Sequence, residues 1–423
     1  MPRPQTVIDM LNPAWGRSVI ATLSPPLIFG AFFTSTFSGC SGDGSSVGFQ
    51  VRDSAGVQIV TITEPRWPSS TGWRLAEEAS LDIGVLDGDS AYQFHEIAGA
   101  LRQDDGRIVV ANAGSNELRQ FGSDGAFLRS AGRQGGGPGE FEQIIWLLPW
   151  RGDSLAVFDW GHRRVSVFDR ELEFGRAFVL HFLESGGFPR LIDLLPDGSL
   201  LVTVMRFDQE TRTATGTQRA AVQILRADAE GTVVDSLGRF PGAERFEVPM
   251  GNFTIFANAA FGRASRGAAH DDGFYFGTSD SYEIRDYSVD GTLQRLIRLA
   301  RPNRPVGAED IARYKEQERA GVSSEEGRQA VERMLGAMPF PETFPAYGRF
   351  IVDAENNLWV EDYPVPGSAA SRWNVFDGGG TLLGTVQTPA NFTPYQIGAD
   401  FALGSWRDEL DVEHVRLYPL LEA

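Results

Sequence analysis

Apolar and polar positions alternate along most of this chain, and the alternation is broken at regular intervals by short runs of Asp, Gly and Asn. Residues 104–112 read DDGRIVVAN: a polar turn followed by a strand. The same pattern returns as RGDSLAVFD at 151–159, PDGSLLVTV at 196–204, DDGFYFGTS at 271–279 and AENNLWVED at 354–362. A period of two between turn residues predicts β-hairpins rather than helices. Each is followed by a strand–turn–strand segment, at 117–132, 164–178, 222–238, 282–299 and 372–386. An apolar run precedes each first turn, as in IAGAL or LIDLL, so each unit has four strands.

Residues 395–420 supply only three strands of a sixth unit. The segment 79–106 parallels 126–153, which marks residues 75–83 as a last strand whose three partners lie at the other end of the chain. Six such units predict an all-β fold, a six-bladed β-propeller closed by strands from both ends, which leaves blade six no free edge. The ring is expected over 75–423. Residues 47–74 read as an extra strand pair, around Asp53–Gly56, with a linker. Residues 307–338 read as two helices inserted between blades four and five, because Glu309 and Asp310 give an acidic first turn and SSEEGRQAVERML has helical spacing.

Composition narrows the function. The 423 residues carry a formal net charge of −18, which argues against nucleic acid as a partner, since phosphate neutralisation needs a basic surface. Cys40 is the one cysteine, so there is no intrachain disulfide. Ahead of it, Arg3 and Arg17 precede an apolar run over 18–37 that Pro25 and Pro26 would break as a membrane helix, the profile of an export signal. FSGC resembles a bacterial lipobox. The resemblance implies a signal peptide over 1–39, a lipid-modified Cys40, a tether over 40–46 and a cell-envelope location on the periplasmic or outer-membrane side. Loss of the signal would leave a net charge of −19.

The stretch GRQGGGPGEFEQI, residues 132–144, and its weaker counterpart GVLDGDSAYQFHEI, residues 84–97, resemble the joints of NHL-type repeats. From about residue 75 onward the chain is similar to the six-bladed, NHL-like propellers of bacterial envelope lipoproteins. That resemblance speaks to fold and hardly to function.

The chemistry is sparse. The glycine-rich stretch has no G-x-G-x-x-G register, no Gly-Lys pair exists in the chain, and a phosphate loop is excluded. No G-x-S-x-G elbow and no H-x-x-H or H-E-x-x-H pair is present. The innermost strands, which line a propeller's channel, hold the best candidates. Aligned on their turns, they stack Arg190, Arg266 and Arg349 at similar depth, with Arg263 further out. His95, Glu96 and Glu142 fall near the same mouth, and Asp193 and Asp353 lie deeper. The arginines are expected either to converge on an anion through their planar forks or to pair with Glu96, Glu142, Asp193 or Asp353 and fill the channel. The expected role is a binding or scaffold module for a protein, peptide or anionic saccharide, without a cofactor. The competing expectation is a calcium-dependent lactonase or hydrolase with Glu96, Glu142, Asp193 and Asp353 on one ion.

Overall fold

Each polar turn found in the sequence closes a hairpin, and the hairpins assemble into sheets of four antiparallel strands. The structure is a computed structural model that describes residues 48–68, 71–180, 188–205, 217–250, 253–368 and 370–422. The export signal, Cys40 and the tether lie outside the described residues. Blade one runs Ile97–Arg102, Ile108–Asn112, Glu117–Phe121, Phe127–Ala131, and blade two Ile144–Pro149, Leu155–Asp159, Arg164–Phe168, Phe174–Val179. Blade three spans Phe188–Leu194 to Val233–Pro241, blade four Arg266–His270 to Leu293–Leu299, and blade five Phe350–Val352 to Leu382–Gln387. The first strand of every blade touches the first strand of the next, so the six surround a central channel.

Blade six combines Phe392–Ile397, Phe401–Arg407 and Glu413–Glu422 with strands from the N-terminal side. Residues 75–83 were expected as one strand; they form two contacts, Trp73–Leu75 and Leu81–Ile83, both against Glu413–Glu422. The break has a local cause. Pro419 has no N–H to donate, so it only accepts, from Ala76 N at 2.9 Å, and the ladder resumes where Ser80 N reaches Leu417 O at 2.8 Å. Asp82 then takes Arg416 Nε at 2.8 Å and sits 2.7 Å from His414 Nδ1.

Two side-chain devices repeat around the ring. The Asp that opens the outer hairpin accepts two backbone N–H groups of its own turn: Asp169 from Glu171 and Glu173, Asp228 from Glu230 and Thr232, Asp377 from Gly379 and Thr381. At the end of the second strand a polar side chain pins the incoming connector. Asn112 accepts His95 N at 2.8 Å, and Asp159 accepts Gln143 N at 2.9 Å and Glu142 N at 3.1 Å. Among the described residues, one apolar cluster fills each gap between neighbouring blades.

Because strands alternate in direction, the connectors between blades share one face with the turns between second and third strands. The Asp/Gly hairpins occupy the other face. The connector face carries a cap with its own core. A hairpin of Arg245–Met250 and Phe253–Asn258, helix α1 (Ala308–Ala320) and helix α2 (Glu325–Ala337) enclose Phe246, Phe261, Val331, Leu335 and Phe344. Asp310 accepts Gly307 N at 3.0 Å to start α1, and Ser324 Oγ accepts Gly327 N at 3.1 Å to start α2. Phe49–Ser54 and Val57–Ile62 form a further hairpin, whose second strand adds in parallel to Leu293–Leu299 and lengthens blade four outward.

Candidate functional site

Arg190, Arg266 and Arg349 stand on, or immediately before, the first strands of three successive blades, and their surroundings differ. Arg190 has a guanidinium 5.5 Å from the Trp146 ring of blade two and meets no carboxylate among the described residues. It reaches the water of the channel while the blades enclose it, and that enclosure lowers its pKa from the ordinary value. Arg266 is oriented by backbone: Nε donates to Gly348 O at 2.7 Å and Nη1 to Ser265 O at 3.2 Å. No carboxylate among the described residues pairs with it. Burial, together with the positive charge of Arg190, pushes Arg266 down to about 10, with Arg349 adding to the effect and Tyr363 and Glu361 opposing it. The two guanidinium groups thus share one field.

Arg349 is neutralised, though not by any carboxylate expected from the sequence. Its Nε and Nη2 donate to Glu361 at 3.0 and 3.2 Å, and its face lies 5.3 Å from the Trp373 ring. Glu361, on the second strand of blade five, also accepts Ser371 Oγ at 2.7 Å. Burial alone would raise its pKa, but the Arg349 charge and these hydrogen bonds outweigh burial and hold the carboxyl below its usual range. Sequence reasoning missed Glu361 because LWVE reads only as a strand. The available signal was that it occupies the pinning position of Asn112 and Asp159.

Arg263 has partners of its own. It donates to Thr343 Oγ1 at 2.9 Å and sits 3.8 Å from Glu244 and 3.7 Å from Asp280, tying the cap to blade four. His95 is exposed in a groove of about 420 Å³ between blades six and one. Glu96 is exposed and has a φ of 55° in the connector to blade one. Glu142 approaches His162 Nε2 at 3.8 Å, while the buried Asp159 holds the Nδ1 side at 2.6 Å.

The four carboxylates expected around calcium are not brought to one point. Asp353 is buried in its own turn, where it accepts Asn357 N at 2.8 Å and Trp359 Nε1 at 2.7 Å. Asp193 crosses to blade four and accepts Ala269 N at 3.0 Å, and burial raises its pKa to about 6. Among the described residues no group of three His, Cys, Asp or Glu side chains could hold a metal ion.

The glycine-rich joint encloses a group of its own. Glu140 accepts Gly137 N at 2.7 Å and Arg133 Nε at 2.7 Å, so an internal carboxylate, not a phosphate, takes this N–H of the glycine-rich stretch.

No family profile and no curated protein matches the chain. Among solved structures, a candidate exported protein from Bacteroides fragilis is similar at 12% identity, covering 86% of this chain and 99% of its own, with a TM-score of 0.47. A member of a family of unknown function from Bacteroides vulgatus is similar at 8% identity over 83% of this chain and 98% of its own, with a TM-score of 0.49. Virginiamycin B lyase from Staphylococcus aureus is similar at 11% identity over 83% of this chain and the whole of its own, with a TM-score of 0.40. Likenesses this distant carry no residue roles to this chain, and the propeller rests on the strand topology itself. Among the described residues no helix is long and apolar enough to cross a membrane.

Proposed function

We propose that this chain is an exported, lipid-anchored β-propeller that captures an anionic ligand at the channel mouth through Arg190 and Arg266. One observation carries the reading: two enclosed guanidinium groups meet no carboxylate among the described residues, in a protein whose net charge is −18. A carboxylate or phosphate arriving there would gain charge-assisted hydrogen bonds from both guanidinium groups. Among the described residues no acceptor takes the donor fork of Arg190, and Arg266 offers what its two carbonyl partners leave free. The anchor rests on the FSGC motif at Cys40.

The test is a melting-temperature screen with oligogalacturonate, carboxylate-terminated peptides and inorganic phosphate. At least one probe should raise the melting temperature of the wild type, because a ligand selective for the native state stabilises it. Arg190→Ala and Arg266→Ala should fold normally and lose that rise by at least tenfold in apparent affinity. A wild type and double variant that respond alike to every probe would sink the anion site. Labelling of cells with a fatty-acid analogue should mark the chain and fail to mark Cys40→Ser; equal labelling would refute the anchor.

A further inference from the structure

We propose that the cap positions Arg266: docking of the cap core onto the ring holds the segment from Phe344 to Arg349 in place, and that segment aims one of the two guanidinium groups of the anion site. This inference rests on the anion site proposed above and adds its regulation, since whatever loosens or tightens the cap changes the affinity for an anion.

The link is short, and each step is a contact. Phe344 belongs to the cap core, its ring centroid 4.7 Å from that of Phe261 and 5.7 Å from that of Tyr363. The two ends of the helical insert pair with each other: Val306 N donates to Glu342 O and Phe344 N to Arg304 O, both at 2.9 Å. Tyr347, three residues on, is buried between blades four and five. Its hydroxyl donates to Glu283 O and accepts Ser279 N, both at 3.0 Å. Gly348 follows, and its carbonyl accepts Arg266 Nε at 2.7 Å. From Phe344 to Gly348 the chain spans at most about 14 Å.

Gly348 is held from the other side as well. Its N–H donates to Glu361 O at 2.8 Å. A Cβ on it would lie 2.8 Å from the Glu361 carboxylate and 3.3 Å from Pro364 Cδ. Glu361 is the partner of Arg349, and Pro364 follows Tyr363, whose ring lies against Phe344. The carbonyl that aims Arg266 is therefore flanked by two residues of the cap core, Phe344 ahead of it and Tyr363 across from it.

The consequence is chemical. With Nε and Nη1 bonded to Gly348 O and Ser265 O, the Arg266 guanidinium has one orientation and presents its remaining N–H groups. A guanidinium already held loses less rotational freedom when an anion arrives. A loosened cap lets Gly348 drift, Arg266 regains its rotamers, and the anion must order it again. Arg190 has no such link, because its contact is Trp146 of blade two. Loosening the cap should therefore remove the part of the affinity that Arg266 supplies and leave the part that Arg190 supplies.

The experiment uses the full chain. Leu335 stands on α2, is 4% exposed within the cap core and lies outside the anion site. Leu335→Ala opens a cavity in the cap, and Leu335→Met refills it. Calorimetry reads the affinities for oligogalacturonate and inorganic phosphate. Nuclear magnetic resonance reads the hydrogen exchange of the Arg266 Nε–H, assigned by its loss in Arg266→Ala. In Leu335→Ala the exchange should quicken at least tenfold and the affinity should fall about fivefold, while Leu335→Met should behave as wild type. In the Arg266→Ala background Leu335→Ala should weaken binding no further. Val331→Ala, a smaller cavity in the same core, gives the same comparison if Leu335→Ala does not fold. An exchange rate unchanged by the cap variants overturns the link, and so does a loss of affinity equal in both backgrounds. If the exchange quickens but wild type binds neither probe, the anion site is overturned and the link between cap and Arg266 stands.

Discussion

Asp193 and Glu361 are enclosed carboxyls near the same channel, and they respond to pH in opposite senses. Asp193 has a folded value of about 6 against an unfolded value of about 3.9. Between those values the native chain holds a proton that the unfolded chain has lost, so stability rises as pH falls from above 6 toward 4. Asp193→Asn keeps an acceptor for Ala269 N and removes the enclosed charge. It should stabilise the protein at pH 8 by up to about 3 kcal/mol and by little at pH 4, read from melts at the two values. An equal effect at both would place the charge in free water. Glu361, held below its usual range, adds stability that is fully present above the unfolded carboxyl value and is lost as pH falls through the folded one. The positions of Arg190, Arg266 and Asp193 on first strands were legible because turn spacing fixes where those strands fall. The partners were not: whether Arg349 meets Glu361 or Asp353 depends on the twist between first and second strands, which one sequence does not encode as a pattern.

The glycine-rich joint shows what a connector must do between blades. Gly132 has a φ of 85°, and a Cβ there would lie 2.5 Å from the Phe141 ring, which is buried between blades one and two. Gly132→Ala should therefore combine backbone strain with overpacking and cost about 2–4 kcal/mol in denaturant unfolding. A loss below about 1 kcal/mol would show that the joint relaxes freely. Elements with a period or a cap were readable: the four-stranded units, the two inserted helices and the existence of a closing strand, though not its split at Pro419. The hairpin of Arg245–Met250 and Phe253–Asn258 was missed although FEVPMGNFTIFA alternates as a hairpin should. It has no counterpart in the other units, so an argument from repetition passes over it.

At the scale of the whole molecule, the ring divides its labour between two faces. Tight Asp/Gly hairpins make the turn face, while the connector face carries the cap, the groove and the arginines. The order of blades was legible, and so was the position of the insert. The cap core was not, because Phe246 and Phe261 come from the connector between blades three and four and Phe344 from the next one, and the two meet only after the blades have closed.

The clasp of blade six also sets a condition on how the molecule is made. Asp82 and His414 are 332 positions apart, and Ile83 pairs with Val415. A chain emerging from its N-terminus can finish blades one to five while residues 73–83 still wait for a partner. Contacts of such long range form late and slowly. Folding should then end in a slow, concentration-independent phase that seals the ring, and a chain stopped before Glu413 should lack that phase and be digested by protease at the unsealed blade. A truncated chain that resists protease like the full one would show that the clasp adds nothing to the closure of the ring; otherwise Glu413–Glu422 is the segment on which closure of the whole ring waits.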